Sequence, residues 1–327
     1  MKIGIDVSQV VYGTGVSNYV VNLIQHLPQN DILPFGFSLH RREDLKRILP
    51  KGVSFPIPQT LMHYLWNILH VINVESFIGK IDVYHSSDWV QGPSRAKKVT
   101  TVHDLSPFLY PQELDPQIVA VQTARMKWVV KECDQIICVS QNTAQDLKLG
   151  FKVQDSRIKV IYEALPSRFQ LKPQITKNAN YIFAIGARQP RKNIDRLKKA
   201  CAMLGQKLIT VGEGSEIGYV SDQDLVNYLA GASAFVYPSL YEGFGLPILE
   251  AFYHSVPVAC SNTSSLPEVA GDAAVYFDPL DEEAIAKAIT EAMANRNKLV
   301  TAGKTQLAKF SWETTAQETM TVYKNLL

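Results

Sequence analysis

Cysteine is scarce. Four residues among 327, Cys133, Cys138, Cys201 and Cys260, form no C-x-x-C pair and have no histidine at ligand spacing. That pattern argues against a structural zinc site and against a disulfide framework, and no metal is expected. An excess of charge of one sign is also missing, with 33 Lys and Arg against 31 Asp and Glu. A basic footprint for nucleic acid is therefore absent, and no nucleic-acid partner is expected. No apolar run reaches the roughly 18 residues of a membrane span. The opening Met1-Lys2-Ile3-Gly4-Ile5-Asp6 turns acidic too early for a secretory leader. A cytosolic location with reduced thiols is the expectation. Neither an internal repeat nor a low-complexity tract is present.

What is there is an ordinary globular composition, 46% hydrophobic and 20% charged, in a chain about twice the usual domain length. Short apolar runs alternate with helical patterns. Strands are predicted over Lys2–Val7, Pro34–Leu39, Ile81–His85, Lys98–Val102, Gln135–Val139 and Lys159–Tyr162. Helices are predicted between them, over Ser17–Leu27, Leu61–Phe77, Pro116–Glu132 and Gln141–Leu149. The pattern breaks near Leu165–Pro166 and restarts at Tyr181 after the polar stretch Lys172–Asn180. It then repeats through strands at Lys207–Val211, Ala234–Tyr237, Pro257–Cys260 and Ala274–Phe277. Alternation of this kind gives parallel sheets covered on both faces. The reading is α/β, with two Rossmann-like doubly wound domains over 1–168 and 178–309. A final amphipathic helix within 311–327 is expected to pack back on the first. Ligands of such folds bind beyond the carboxyl ends of the strands, here in a central cleft.

One segment carries the most chemistry: Pro238-Ser239-Leu240-Tyr241-Glu242-Gly243-Phe244-Gly245-Leu246-Pro247-Ile248-Leu249-Glu250-Ala251, directly after an apolar strand. Its glycines admit close backbone approach, and Pro247 suits a first helical turn. Strand, turn and helix N-terminus together make a phosphate site. Glu242 and Glu250 either face one ligand or serve as a dipole-pairing acid and a surface acid; spacing leaves both open.

This segment resembles the glutamate-pair motif of the retaining group 1 glycosyltransferases, the glycogen-synthase-like family of GT-B fold. Further stretches match in order: Asp6-Val7-Ser8 through Gly13-Thr14-Gly15-Val16-Ser17-Asn18-Tyr19, Val102-His103-Asp104-Leu105, Val139-Ser140-Gln141-Asn142-Thr143-Ala144, Pro190-Arg191-Lys192-Asn193 and Phe310-Ser311-Trp312. The resemblance covers essentially the whole chain. It implies a hexosyltransferase that moves sugar from a nucleoside diphosphate, UDP-glucose first and GDP-mannose second, to a sugar or lipid-linked saccharide. No cofactor or metal is implied. The setting implied is bacterial cell-envelope polysaccharide synthesis.

The resemblance also implies roles. Glu250 would accept from ribose hydroxyls, Glu242 would contact the donor sugar, and amides around Gly243, Phe244, Gly245 and Leu246 would hold sugar or phosphate. Lys192 would balance the diphosphate as its charge grows. An arginine usually follows the glycine at 186; here Ala187 stands there, and either Arg188 replaces it or a single cation serves. His103 would hydrogen-bond a sugar hydroxyl, and Gly15 would reach the donor phosphates. Only nine residues separate Val211 from Ser221. A further helix and strand are usual there, so Tyr219 and Val220 are what remains to meet the base.

Other features have plainer readings. Asp222-Gln223-Asp224 spells D-x-D, but Ser221 is a good N-cap and the two acids suit a first turn. Ser17 reads as a possible N-cap of the first helix, and Ser265-Leu266-Pro267-Glu268 as a capping box. Trp89 would stack on an acceptor sugar or fill the core, and Asp104 would orient His103 or touch the acceptor. Thr60–Phe77 reads as a packed helix, or as a surface grazing a membrane that carries the acceptor. Arg41, Arg42, Lys46, Arg47 and Lys51 read as a solvated helix face or an anion-facing patch. Two rival functions remain: a nucleotide-sugar-binding protein without turnover, and an epimerase of similar fold. The epimerase would need acid–base carboxylates in the first domain.

Overall fold

The computed structural model describes residues 1–13, 15–49, 51–174, 180–186 and 188–327. The chain divides into two compact units, one formed by Met1–Glu163 with Trp312–Leu327, the other by Ala164–Ser311. Each is built on a wholly parallel sheet.

Seven strands make the first sheet: β1 (Ile3–Asp6), β2 (Ile32–Phe37), β3 (Val53–Phe55), β4 (Val83–Ser86), β5 (Lys97–Val102), β6 (Gln135–Cys138) and β7 (Ile158–Val160). Their order is β3-β2-β1-β4-β5-β6-β7, so the winding reverses between β1 and β4. The second sheet holds β8 (Ile182–Ile185), β9 (Leu208–Val211), β10 (Ala234–Tyr237), β11 (Val258–Ser261) and β12 (Ala274–Phe277), in the order β12-β11-β10-β8-β9. Its reversal falls between β8 and β10. Strands such as Ala234–Tyr237 and Val258–Ser261 are buried at every position, because helices cover both faces of a parallel sheet.

The C-terminal helix Trp312–Asn325 belongs to the first unit, where Thr315 donates to the Tyr162 carbonyl at 2.8 Å and the Tyr323 hydroxyl meets His85 Nδ1 at 2.5 Å. All four cysteines are free and buried. Burial pushes the thiols of Cys133, Cys138 and Cys201 up to about 12, and that of Cys260 up as well.

Three expectations need correction. Leu61–Phe77 is not one helix: a turn at Gln59–Met62 runs into a π-helix at His63–Ile68, and helix resumes only at Glu75–Ile78. Between them His70 and Ile72 take positive φ angles of 55° and 63°. The segment is apolar on every side, so its periodicity cannot mark where a helix ends. Ser17 is no N-cap; the helix begins at Gly15, and the Ser17 hydroxyl donates to the Gln9 carbonyl at 2.8 Å. Finally, the edge strand β3 is not among the predicted strands, being only three residues long, whereas the cationic run from Arg41 does form a helix, Arg42–Ile48.

Candidate functional site

In the second unit the candidate residues gather at the β8/β10 reversal, where ligands of open α/β sheets bind. After β8 the chain turns at Gly186 (φ 84°), and a Cβ there would come within 3.3 Å of the Lys192 stem. A short 3₁₀ turn, Pro190–Lys192, then presents Arg191 and Lys192. Asn193, in left-handed conformation, ties the two loops together by donating to the carbonyls of Pro238 (3.0 Å) and Pro279 (2.7 Å). The Leu240 amide donates to the Arg191 carbonyl at 2.7 Å.

These ties aim three charges at one point. Lys192 Nζ donates to Glu242 Oε1 at 2.6 Å and to the Tyr237 hydroxyl at 3.3 Å. Arg191 Nη1 lies 3.6 Å from Glu242 Oε2 and donates to the Tyr241 carbonyl at 3.0 Å. Burial works to raise the Glu242 carboxyl, but Lys192 and Arg191 outweigh it and hold the group below its ordinary range. The result is a buried carboxylate carrying two cations, with net positive charge at the reversal.

Behind Glu242 stand two serines. Ser264 accepts from the Glu242 amide at 3.0 Å and donates to the Glu242 carbonyl at 2.6 Å. Ser265 donates to the carbonyls of Glu242 (2.9 Å) and Phe244 (2.7 Å). Ser265 therefore makes no capping hydrogen bond to its own helix, contrary to the capping-box expectation. The long-range partners outcompete the local ones. Gly245, at φ 115°, ends this loop and opens the helix Leu246–Tyr253, with Pro247 in its first turn. Gly243 and Phe244 are buried, and Phe244 packs edge-on against Phe310.

Glu250 lies deeper in that helix and is 5% exposed. Burial pushes its carboxyl up to about 8, with Arg168 pulling it down and Asp222 pushing it up. Asp222 stands 3.9 Å from Arg168, while Ser221 caps the helix through the Asp224 amide at 3.1 Å. The D-x-D pair is thus part of a helix start.

Arg188 is placed differently from Arg191. Its side chain is 71% exposed and pairs with Glu213, in the short loop between β9 and the helix Asp222–Ala230. Arg191, not Arg188, is the second cation at Glu242. Ala187 lies outside the described residues. The short loop closes on itself through Gly212, whose amide donates to the Gly218 carbonyl at 2.8 Å. Tyr219 is 82% exposed and Val220 is half-buried.

In the first unit His103 follows β5. Its Nδ1 is 3.0 Å from Glu163 Oε1, and Tyr19 packs edge-on at 4.7 Å. Burial alone would lower the imidazole pKa, but the hydrogen bond and charge of Glu163, joined by Asp88 and Asp104, raise it overall. Asp104 does not hold His103; its Oδ1 accepts from the amide and hydroxyl of Ser106 at 2.8 and 2.6 Å. Trp89 is partly buried against the aromatic core around Trp66. Gly15 opens the first helix, and a Cβ there would meet nothing within 4 Å; Thr14 lies outside the described residues. His103 also lines a small cavity at the β1/β4 reversal with Asp6, Gln9 and Asp88. There burial pushes the Asp6 carboxyl up to about 6.

Several of these residues escaped the sequence reading. Glu163 had one signal, since it sits just beyond the carboxyl end of a predicted strand on the same edge as His103. Ser264 and Arg168 had none, because their partners are remote in the chain; Asn193 stood in the Pro190–Asn193 motif, but its partners could not be read from it.

Two doubly wound parallel sheets, one carrying a lysine–arginine–glutamate cluster at its reversal point, define a two-unit α/β architecture. Comparison with known proteins narrows the class. The model of the family described as Glycosyl transferases group 1 matches residues 215–306, and that of Glycosyltransferase Family 4 matches residues 13–166. O-antigen chain mannosyltransferase B of Escherichia coli is 33% identical over 283 residues, covering 75% of this chain and 74% of that protein. The serotype-specific mannosyltransferase WbdA of Escherichia coli is 26% identical over 275 residues, and the match spans 71% of this chain but only 34% of that longer protein. The solved structure of Anabaena Alr3699/HepE in complex with UDP and glucose shares the fold, with a TM-score of 0.73 at 16% identity over 99% of this chain and 100% of that one. The chain belongs to the group 1 glycosyltransferases, and its architecture is GT-B.

Proposed function

We propose that this glycosyltransferase moves a hexose from a nucleoside-diphosphate sugar to a growing, lipid-linked cell-envelope polysaccharide, with retention at the anomeric carbon and without metal. The relatives named above are mannosyltransferases, which supports GDP-mannose ahead of UDP-glucose and reverses the order expected from the sequence motifs. The observation that carries the reading is the convergence of Lys192 and Arg191 on Glu242 at the β8/β10 reversal.

In this reading the second unit holds the donor. Lys192 and Arg191 meet the diphosphate, and their charge is worth most when the sugar–phosphate bond breaks. Glu242 fixes both cations and faces the donor sugar. Glu250 takes the ribose hydroxyls, and the amides of Gly243 to Leu246 take the remaining oxygens. The first unit serves the sugars, with His103, oriented by Glu163, donating to a hydroxyl. The acceptor oxygen bonds to the anomeric carbon as the bond to the β-phosphate oxygen breaks. The acceptor's proton passes to that departing phosphate oxygen.

The test is thermal unfolding with GDP, UDP, ADP and their sugar conjugates. A ligand at about 100 times its dissociation constant adds roughly 2.7 kcal/mol to the folded state. Guanine nucleotides are expected to stabilise the chain, and Glu250→Ala is expected to abolish the shift. No shift with any of them would overturn the reading.

A further inference from the structure

The turn that interrupts the expected helix presents apolar groups where a soluble surface would hide them. Leu61, Tyr64, Ile68, Leu69, Val71 and Ile72 are between 43% and 52% exposed within twelve consecutive residues. Most other exposed large apolar side chains are scattered along the chain, which is ordinary, whereas contiguous ones mark a contact surface.

This display is built, not loose. Ile72 is β-branched and held at φ 63°, a conformation such residues avoid. The indole of Trp66, fully buried in the aromatic core, donates to the Ile72 carbonyl at 2.9 Å. The Val71 amide donates to the Leu65 carbonyl at 3.0 Å, and His70 Nδ1 lies 2.8 Å from the Trp66 carbonyl. The core thus fixes a turn whose aliphatic side chains point to solvent.

Beside the turn two exposed side chains carry positive charge. The His70 ring stacks on Trp128 at 3.6 Å, and the Trp128 indole donates to the Asn67 carbonyl at 2.8 Å. Around that same Trp128 ring sit the exposed Lys127 and Lys131, their ammonium groups 5.5 and 4.8 Å from its centre. The nearby acid, Glu132, is half-buried and engaged by His70 at 3.2 Å and Lys98 at 3.6 Å. No helix among the described residues is long and apolar enough to cross a membrane.

We propose that the turn Ile68–Ile72, flanked by Leu61 and Tyr64 and rimmed by Lys127 and Lys131, docks this chain on an anionic lipid bilayer. Aliphatic groups enter the interface, the tyrosine sits at headgroup level, and the lysines meet lipid phosphates. The inference deepens the proposed function and rests on its lipid-linked acceptor for its purpose.

The experiment is co-sedimentation of the full chain with vesicles of phosphatidylcholine alone and of phosphatidylcholine mixed with phosphatidylglycerol, with no acceptor present. The chain is expected to sediment with the mixed vesicles only. Two double variants, Leu69→Asn with Val71→Asn and Lys127→Glu with Lys131→Glu, should each bind on the order of tenfold more weakly. Both should keep the parent's nucleotide-induced thermal shift, which separates failure of docking from failure of the donor assignment. Equal sedimentation of parent and variants, or none of the parent, overturns the proposal. Concentration-dependent dimerisation that the Leu69 variant abolishes would also overturn it, in favour of a second copy as the occupant.

Discussion

Glu163 stands sixty residues from His103 in the chain, yet its Oε1 lies 3.0 Å from the imidazole Nδ1. The carboxylate raises the imidazole pKa against burial, which alone would lower it. Since the folded value exceeds 6.5, the stabilisation is full below about 6.5 and is lost as pH rises through the raised value. In Glu163→Gln the His103 pKa should fall, and this pH-dependent loss should shrink. An NMR titration of His103 reads the first effect, and urea unfolding at a series of pH values the second. An unchanged titration would mean that Glu163 does not govern the ring.

Lys192→Ala leaves Glu242 buried with Arg191 3.6 Å away as its remaining cation. Turnover should fall roughly a hundred- to a thousand-fold, the usual cost of removing one preorganised charge from a leaving group. The carboxyl of Glu242 should also rise. Sugar transfer from the donor found by thermal shift is the measurement, and near-normal rates would exclude the leaving-group role.

For Glu250 the sign is the reverse of that for a paired carboxylate. Its folded pKa of about 8 exceeds the ordinary 4.5, so the native state binds the extra proton. Stability therefore falls as pH rises from about 4.5 to about 8, by an amount on the order of a few kcal/mol. Glu250→Gln should melt close to the parent below this window and above it in alkali. Nucleotide binding that ionises Glu250 should release a proton, seen by calorimetry as a heat that depends on the buffer.

Gly245→Ala would place a Cβ 3.0 Å from Leu266 Cδ2 at φ 115°. A side chain in that region costs roughly 1–2 kcal/mol. Urea unfolding should register the loss, and nucleotide affinity should drop with it, because the loop amides shift. A variant as stable as the parent would show that the loop has other ways to close.

Chelation should leave transfer intact, because Lys192 and Arg191 already supply positive charge for the diphosphate. Activity lost to EDTA and restored by manganese would reverse the assignment of Asp222 and Asp224 to the helix start.

Much of the fold was legible because parallel strands write themselves as apolar runs, as Ile182–Ile185 and Ala234–Tyr237 show. The break at His70–Ile72 was not, since it depends on a hydrogen bond from Trp66 rather than on a proline or glycine. In the site, Lys192 and Glu242 were readable from motif context and strand ends. Which arginine joins them was not: Arg188 and Arg191 are three residues apart, and the intervening 3₁₀ turn decides that one faces Glu213 and the other Glu242. Ser265 looked like a local cap because sequence shows only local partners. Its actual acceptors lie more than twenty residues away.

The four buried cysteines have a practical consequence. Their thiols stay protonated at neutral pH and out of reach of a bulky electrophile. A cysteine introduced at an exposed position such as Tyr219 or Tyr64 would be the one site a maleimide modifies under native conditions. The wild-type chain therefore serves as its own unlabelled background for fluorescence reporters of nucleotide arrival or of contact with vesicles.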